Sequence, residues 1–202
     1  MKKAVGLFLA AVLLVAAFMI LPIHGEAELY DKVIRLHVLA NSDSAEDQAL
    51  KLTVRDAVLA RTDALLEGVT DRETAQAVLE AALPELREVA SRALIEAGAP
   101  REVEVTLGEE AYPTREYEQL AFPAGEYLSL RVMIGDAEGQ NWWCVLFPPL
   151  CMTAASEKST EEICLSAGIT GEQYRMIADT DSTKYRLRFK ILEVAQAWLG
   201  DS

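Results

Sequence analysis

Basic residues are in short supply in this 202-residue chain. Nineteen lysines and arginines stand against thirty-two aspartates and glutamates, a formal net charge of -13. A field of that sign repels nucleic acid, whose binders need a basic face, so nucleic-acid recognition is excluded. Histidine is scarcer still, with only His24 and His37. One imidazole in the folded part cannot supply a zinc site built on two or more histidines, so no metal site and no cofactor are expected. The chain has no Gly-x-Ser-x-Gly elbow, no His-Glu-x-x-His and no Gly-rich phosphate loop. Asp179-Thr180-Asp181-Ser182 lacks the Gly and distal Glu of a calcium loop and reads as a turn. Three cysteines, Cys144, Cys151 and Cys164, are too few for a disulfide framework. One disulfide with a spare thiol, or three reduced thiols, both fit. There is no internal repeat and no low-complexity tract.

Hydrophobic residues make up 51% of the chain, which excludes disorder for most of it. Residues 1–27 form a segment of their own. Met1-Lys2-Lys3 is a short basic start, Ala4 to Ile23 carries no charge, and Gly25 and Ala27 have the small-x-small spacing of a cleavage site. At about 1.5 Å rise per residue the apolar run is also long enough to span a bilayer, so a cleaved signal and an uncleaved anchor both satisfy it. With Lys2 and Lys3 inside, either version places residues 28–202 outside the membrane as one exported domain. Contact with the membrane is expected only through the N-terminal segment.

The periodicity predicts an α+β fold, with two helices packed on a mostly antiparallel sheet. Val33–Leu39 reads as a strand, and Asn41-Ser42-Asp43-Ser44 as a turn that caps a helix running to about Leu66. Thr70 with Glu73 is expected to cap a second helix, kinked or split by Pro84 and stopped at Gly98 and Pro100. Val103, Val105 and Leu107 alternate as a half-exposed strand. Tyr112-Pro113 and Phe122–Gly125 read as loop and turn. Leu128–Ile134 and Trp142–Phe147 are expected to pair as a hairpin across a Gly135–Gln140 turn. Glu172–Ala178 suggests a short helix, and Lys184–Lys190 a strand leading to a terminal helix through Trp198.

Lys51 and Arg55 lie one turn apart on the first helix, on what is expected to be its exposed side. Lys184, Arg186, Arg188 and Lys190 share one face of the last strand. A solvated face or an edge blocked by lysines accounts for the stripes, and so does contact with an acidic partner or with anionic lipid head groups. Trp142 and Trp143 must point to opposite faces of their strand, one of them into the core. Cys144, between Trp143 and Val145, reads as packing. The rival reading makes it a nucleophile with His37 as base, in an extracytoplasmic cysteine-dependent enzyme. A third reading is a membrane-tethered structural protein.

Taken together, Ile34–Ser44, Glu46–Lys51 and Val54–Val58, then Tyr112-Pro113, Pro123–Tyr127 and Leu130-Arg131, resemble the stage II sporulation protein R family of endospore-forming bacteria. Gly139-Gln140-Asn141-Trp142-Trp143-Cys144-Val145-Leu146-Phe147-Pro148-Pro149-Leu150-Cys151 is similar to its most recognisable block, and Phe189–Glu193 to its C-terminal end. Met152-Thr153 departs from it, because the family commonly continues there with an aromatic and then a small or acidic residue. The resemblance implies a signalling protein rather than a catalyst. Members are exported into the space between forespore and mother-cell membranes. There they trigger a membrane-embedded protease of aspartic type that processes the precursor of sigma factor E. On that reading the contact surface is the Asn41-Ser42-Asp43 turn, the Lys51, Arg55 and Asp56 face of the following helix, and Trp142.

Overall fold

A computed structural model describes residues 29–117, 120–151 and 159–179. Residues 1–27, expected to be a signal or anchor, and the basic strand and helix expected over 184–198 lie outside the described residues. The chain divides into two compact units. One is Tyr30–Glu110 with Tyr127–Thr170. The other holds, among the described residues, Leu29, 111–117, 120–126 and 171–179.

The larger unit is built around β1 (Ile34–Leu39). It is followed by helix α1 (Ala45–Leu65), helix α2 (Arg72–Glu96) and strand β2 (Val103–Tyr112). After the smaller unit's strands β3 (Arg115–Tyr117) and β4 (Leu120–Phe122) come β5 (Gly125–Ile134), β6 (Asn141–Phe147) and helix α3 (Thr160–Ser166). The sheet order is β2-β5-β1-β6, with β1 parallel to β5 and antiparallel to β6. The α+β class holds, and the sheet is mixed.

The expected hairpin between the runs 128–134 and 141–147 does not form, because β1 lies between them. Of the four strands of this sheet, β1 is the one buried along nearly its whole length on both faces, which suits it to a central position. Reaching the far side of β1 requires crossing two strand spacings, about 10 Å, which a six-residue connection spans with ease. That connection is tied to β1 as it passes: the Gly139 N–H donates to the Ala40 carbonyl at 2.9 Å, and that of Glu138 to Asn41 at 3.3 Å.

One face of the sheet meets the helices. Ile34, Leu36 and Val38 of β1 and Leu128, Leu130 and Val132 of β5 pack in one core with Leu50, Val54 and Val58 of α1 and Leu79, Leu86 and Leu94 of α2. These positions recur at the helical period, so each helix buries one stripe. The cap of α2 is Asp71, not Thr70: its carboxylate accepts from the Thr74 N–H at 2.8 Å. A charged oxygen is the stronger acceptor for the orphan amides of a first turn. Pro84 neither splits nor ends α2. Pro84 and Glu80 are both exposed, so water can serve the Glu80 carbonyl that proline leaves without an N–H donor.

In the smaller unit β3 and β4 pair antiparallel, Arg115 opposite Phe122 and Tyr117 opposite Leu120, with the Tyr117 and Phe122 rings edge-on at 6.2 Å. The turn expected over Phe122–Gly125 narrows to Pro123 and Ala124, with Phe122 ending β4 and Gly125 opening β5. Helix α4 (Gly171–Ala178) matches the short helix expected there and buries Met176 and Ile177. Asp179 ends it, and residues 180–182 of the anticipated turn lie outside the described residues.

Leu86 is fully buried at the helix–sheet interface. Leu86→Ala should lower unfolding free energy by about 3 kcal/mol, read as a shifted urea midpoint at constant slope. A loss under about 1 kcal/mol would mean that α2 does not pack as described.

Candidate partner-binding surface

The turn after β1, the start of α1 and the β5–β6 loop form one bonded unit. Ser44 caps α1, its hydroxyl accepting from the Asp47 N–H at 3.1 Å. Asp47 then faces back toward the turn and is almost wholly buried. Its Oδ2 accepts from Ser42 Oγ at 2.6 Å and Asn41 Nδ2 at 2.8 Å, while Oδ1 accepts from Arg101 Nη2 at 2.7 Å. Hydrogen bonds from Ser42 and Asn41, with the smaller help of Arg101, outweigh burial and hold the Asp47 carboxyl down at about 2.

The β5–β6 loop closes on this turn. Asn41 Oδ1 accepts from the Asp136 N–H at 3.1 Å, and the Gln140 N–H donates to Asp43 Oδ1 at 2.8 Å. From α1, Gln48 Nε2 donates to the Ser42 carbonyl at 2.9 Å. Lys51 Nζ donates to Gln48 Oε1 at 2.7 Å and to the Gln140 carbonyl at 2.9 Å. Two glycines permit the approach. A Cβ on Gly135 (φ +58°) would fall 2.1 Å from Asn41 Oδ1, and one on Gly139 would fall 2.3 Å from the Ser42 carbonyl oxygen.

Lys51 is not on an exposed side, as its sequence position suggests, but only 5% exposed. Its stem is covered by the approach of the loop, and the ammonium is satisfied by a backbone carbonyl and an amide oxygen. Burial, the largest influence, pulls its pKa below the ordinary value, with Asp43 opposing and Arg55 assisting. Arg55 is half-buried; its guanidinium lies 4.9 Å from the Trp142 ring centroid and donates to Asp56 Oδ1 at 2.8 Å. Trp142 pairs with Val38 and shares its helix-facing side of the sheet, whereas Trp143 pairs with His37 on the other. Asn41, Ser42, Asp43, Lys51, Arg55, Asp56 and Trp142 are thus brought together. Asn41, Ser42 and Lys51 spend their polar groups inside the protein. What faces solvent is Asp43, Asp56 and the edge of the Arg55–Trp142 stack.

Sequence reasoning did not single out Asp47, Gly135 and Gly139 as parts of this site. Asp47 reads as helix-start charge, and nothing local shows that it accepts from a turn and from distant Arg101.

On the opposite face of β1 lies a second polar group. His37 Nδ1 is 2.8 Å from Glu110 Oε1, and Nε2 is 2.9 Å from Asn141 Oδ1. Burial raises the Glu110 pKa, but hydrogen bonds from His37 and Ser129 and the charges of His37 and Arg131 outweigh it and leave the net shift downward. Arg35 is fully buried, its Nε donating to the Cys144 carbonyl at 3.2 Å and its guanidinium 5.0 Å from the Tyr127 ring centroid. Cys144 pairs with Leu36, so its side chain takes the sheet face opposite to His37, and its sulfur is bonded to Cys151. The thiol–imidazole arrangement of the rival reading is not formed. Cys164 is the free cysteine among the described residues; burial and the Glu161 charge push its thiol up to about 12.

Fold and geometry together define a small α+β protein in which a turn, a helix start and a loop are fused into one surface patch. The sequence profile of stage II sporulation protein R matches residues 30–157, and the chain belongs to that family. Stage II sporulation protein R of Bacillus subtilis (strain 168) is 37% identical over 147 residues, a stretch covering 66% of this chain and 66% of that relative. No solved structure matches the chain.

Two outcomes test this geometry. Gly139→Ala should destabilise the protein by roughly 1–3 kcal/mol, because the Cβ meets backbone that must move. Gly108→Ala, where nothing lies within 4 Å, should be neutral or stabilising. For Asp47 the folded pKa lies below the ordinary value of 3.8, so between there and about 2 the unfolded chain binds more protons. The stability Asp47 supplies is complete above that window and lost as pH falls through it. In urea melts from pH 5 to pH 2, wild type should lose stability more steeply than Asp47→Asn; parallel curves would contradict the assignment.

Proposed function

We propose that this protein is an exported signal that activates a membrane-embedded protease of aspartic type, and so triggers processing of the precursor of sigma factor E. The observation that carries the reading is the family match over residues 30–157, which contains the whole bonded patch. Two physical features support it. A surface held by its own hydrogen bonds loses little conformational freedom on docking, which favours a ligand that must bind one state of its target selectively. A Cys144–Cys151 disulfide is the kind of bond that persists in an oxidising compartment, in keeping with export to the space between forespore and mother-cell membranes. The partner meets the exposed rim of Asp43, Asp56, Arg55 and Trp142, with Asn41, Ser42 and Lys51 supporting it from behind.

The test is processing of the sigma factor E precursor in vegetative cells that carry the protease. The protein is exported, retained by deleting residues 1–27, or absent. Processing only with exported protein supports the reading, whereas folded, exported protein without processing defeats it. Within the same assay, Arg55→Ala with Trp142→Ala should reduce processing roughly thirty-fold, the weight of a hot-spot pair of about 2 kcal/mol. Arg92→Ala, exposed on α2, should change nothing.

A further inference from the structure

The Cys144–Cys151 bond sits where β6 is otherwise least secured. Among the described residues β6 is an edge strand of its sheet. Its register against β1 is regular from Asn141 to Val145 and then skips: Arg35 faces Val145 but Ile34 faces Phe147. Such a bulge interrupts the ladder. Pro148 and Pro149 follow and have no N–H to continue it. Yet this end must deliver Leu146 and Phe147 to the core, and the Cys144 carbonyl to the fully buried Arg35. The disulfide closes the loop from Cys144 to Cys151 across this weak point, and Cys151 itself packs against the core.

The other end of β6 belongs to the proposed contact patch. Trp142 stacks with Arg55, and the preceding Gln140 carbonyl accepts from Lys51. A single short strand therefore carries the disulfide at one end and the contact residues at the other.

We propose that closure of Cys144–Cys151 is the step that makes the protein a competent ligand, so that activation is confined to the oxidising side of the membrane. This rests on the reading of the protein as an exported activator. In a reducing cytoplasm both residues are thiols. After export, the two thiols lose two protons and two electrons to the disulfide of an oxidised thiol oxidoreductase or a small disulfide. That disulfide is reduced to its dithiol form as the Cys144–Cys151 bond is made. Without the bond the bulged end of β6 keeps its packing, its Ile34–Phe147 pairing and the Arg35 hydrogen bond but loses its covalent closure, and Arg35 and Trp142 are less firmly placed. Cys164, buried and outside this strand, takes no part.

The test uses the full chain in the processing assay, together with thiol counts on denatured protein recovered from each location. Exported protein should present one reactive thiol and retained protein three. Cys144→Ser with Cys151→Ser, and separately the double alanine variant, should lower processing at least ten-fold, while Cys164→Ala keeps the wild-type rate. Three thiols in active exported protein would overturn the proposal. So would either double variant accumulating outside and activating at the wild-type rate. Where a variant fails to fold, the thiol count still tests the proposal, because three thiols in active exported protein would overturn it. If exported wild type carries one thiol but triggers no processing, the activator reading fails and the competence step fails with it. A wild type that activates beside double variants that activate equally removes the redox step alone.

Discussion

Asp47 has to be ionised, and almost wholly out of water, for the turn, helix and loop to meet as they do. A buried carboxylate is tolerated when its oxygens are taken up by donors, and here three donors converge on it. Asn41 and Ser42 come from the preceding turn and Arg101 from the segment before β2, more than fifty residues away. The same Asn41 presents its carbonyl oxygen to the Asp136 amide, so one side chain binds Asp47 on one side and the β5–β6 loop on the other. The loop in turn supplies the Gln140 carbonyl that makes a buried Lys51 tolerable. Removing the carboxylate would leave donors from two separate segments without their acceptor. The position of Trp142, the first residue of β6 after Asn141, follows from that loop.

Burial of β1 on both faces is the second constraint. Its helix-facing side chains are ordinary aliphatics, but Arg35 and His37 occupy the other side. Arg35 accounts for itself with the Cys144 carbonyl and the Tyr127 ring, and His37 lies between Glu110 and Asn141. Hydrogen-bonded polar side chains of this kind add less net stability than apolar ones would, but they discriminate sharply between registers. A one-residue slip of β1 would place Arg35 and His37 against Leu50 and Val54, a far larger penalty than the loss of any single aliphatic contact. The register of a parallel β5 neighbour and an antiparallel, bulged β6 neighbour is thereby fixed by groups that look out of place in a core strand.

Local signals are what sequence reveals best, and the elements divide along that line. Both long helices could be read from their periods, and the Ser44 cap from its spacing, because each depends on residues within a turn or two. The cap of α2 falls one position beyond the Thr70–Glu73 box that spacing favours, because the Asp71 carboxylate is the stronger acceptor for the first-turn amides. Helix α3 was not read, although Ser159 and Glu162 form a full capping box, since its seven residues give too short a period to register. The β5–β6 hairpin failed for a non-local reason: adjacency in sequence favours pairing, and only the double burial of β1 argues for inserting it between them. For the contact patch, the residue set was legible but its internal division was not. Lys51 and Arg55 are equivalent by helical position, and only the approach of Gly139 and Gln140 buries one and leaves the other at the rim.

That division shapes what the surface can do. Around the rim, exposed Asp43 and Asp56 keep the acidic character of the chain, and Arg55 is paired with Asp56 and lies over the Trp142 ring. An exposed ion pair contributes at most about 1 kcal/mol, so affinity at such a rim has to come from the desolvated indole and guanidinium faces. To turn a target from one part in a hundred active to ninety-nine, a ligand must favour the active state by about 5.5 kcal/mol. A floppy loop would spend much of its interaction on ordering itself in either state, with no preference between them. On the proposed reading, a patch already locked by Asp47, Asn41 and Lys51 would meet only a complementary shape well, and selectivity between two states of a partner would follow from that rigidity.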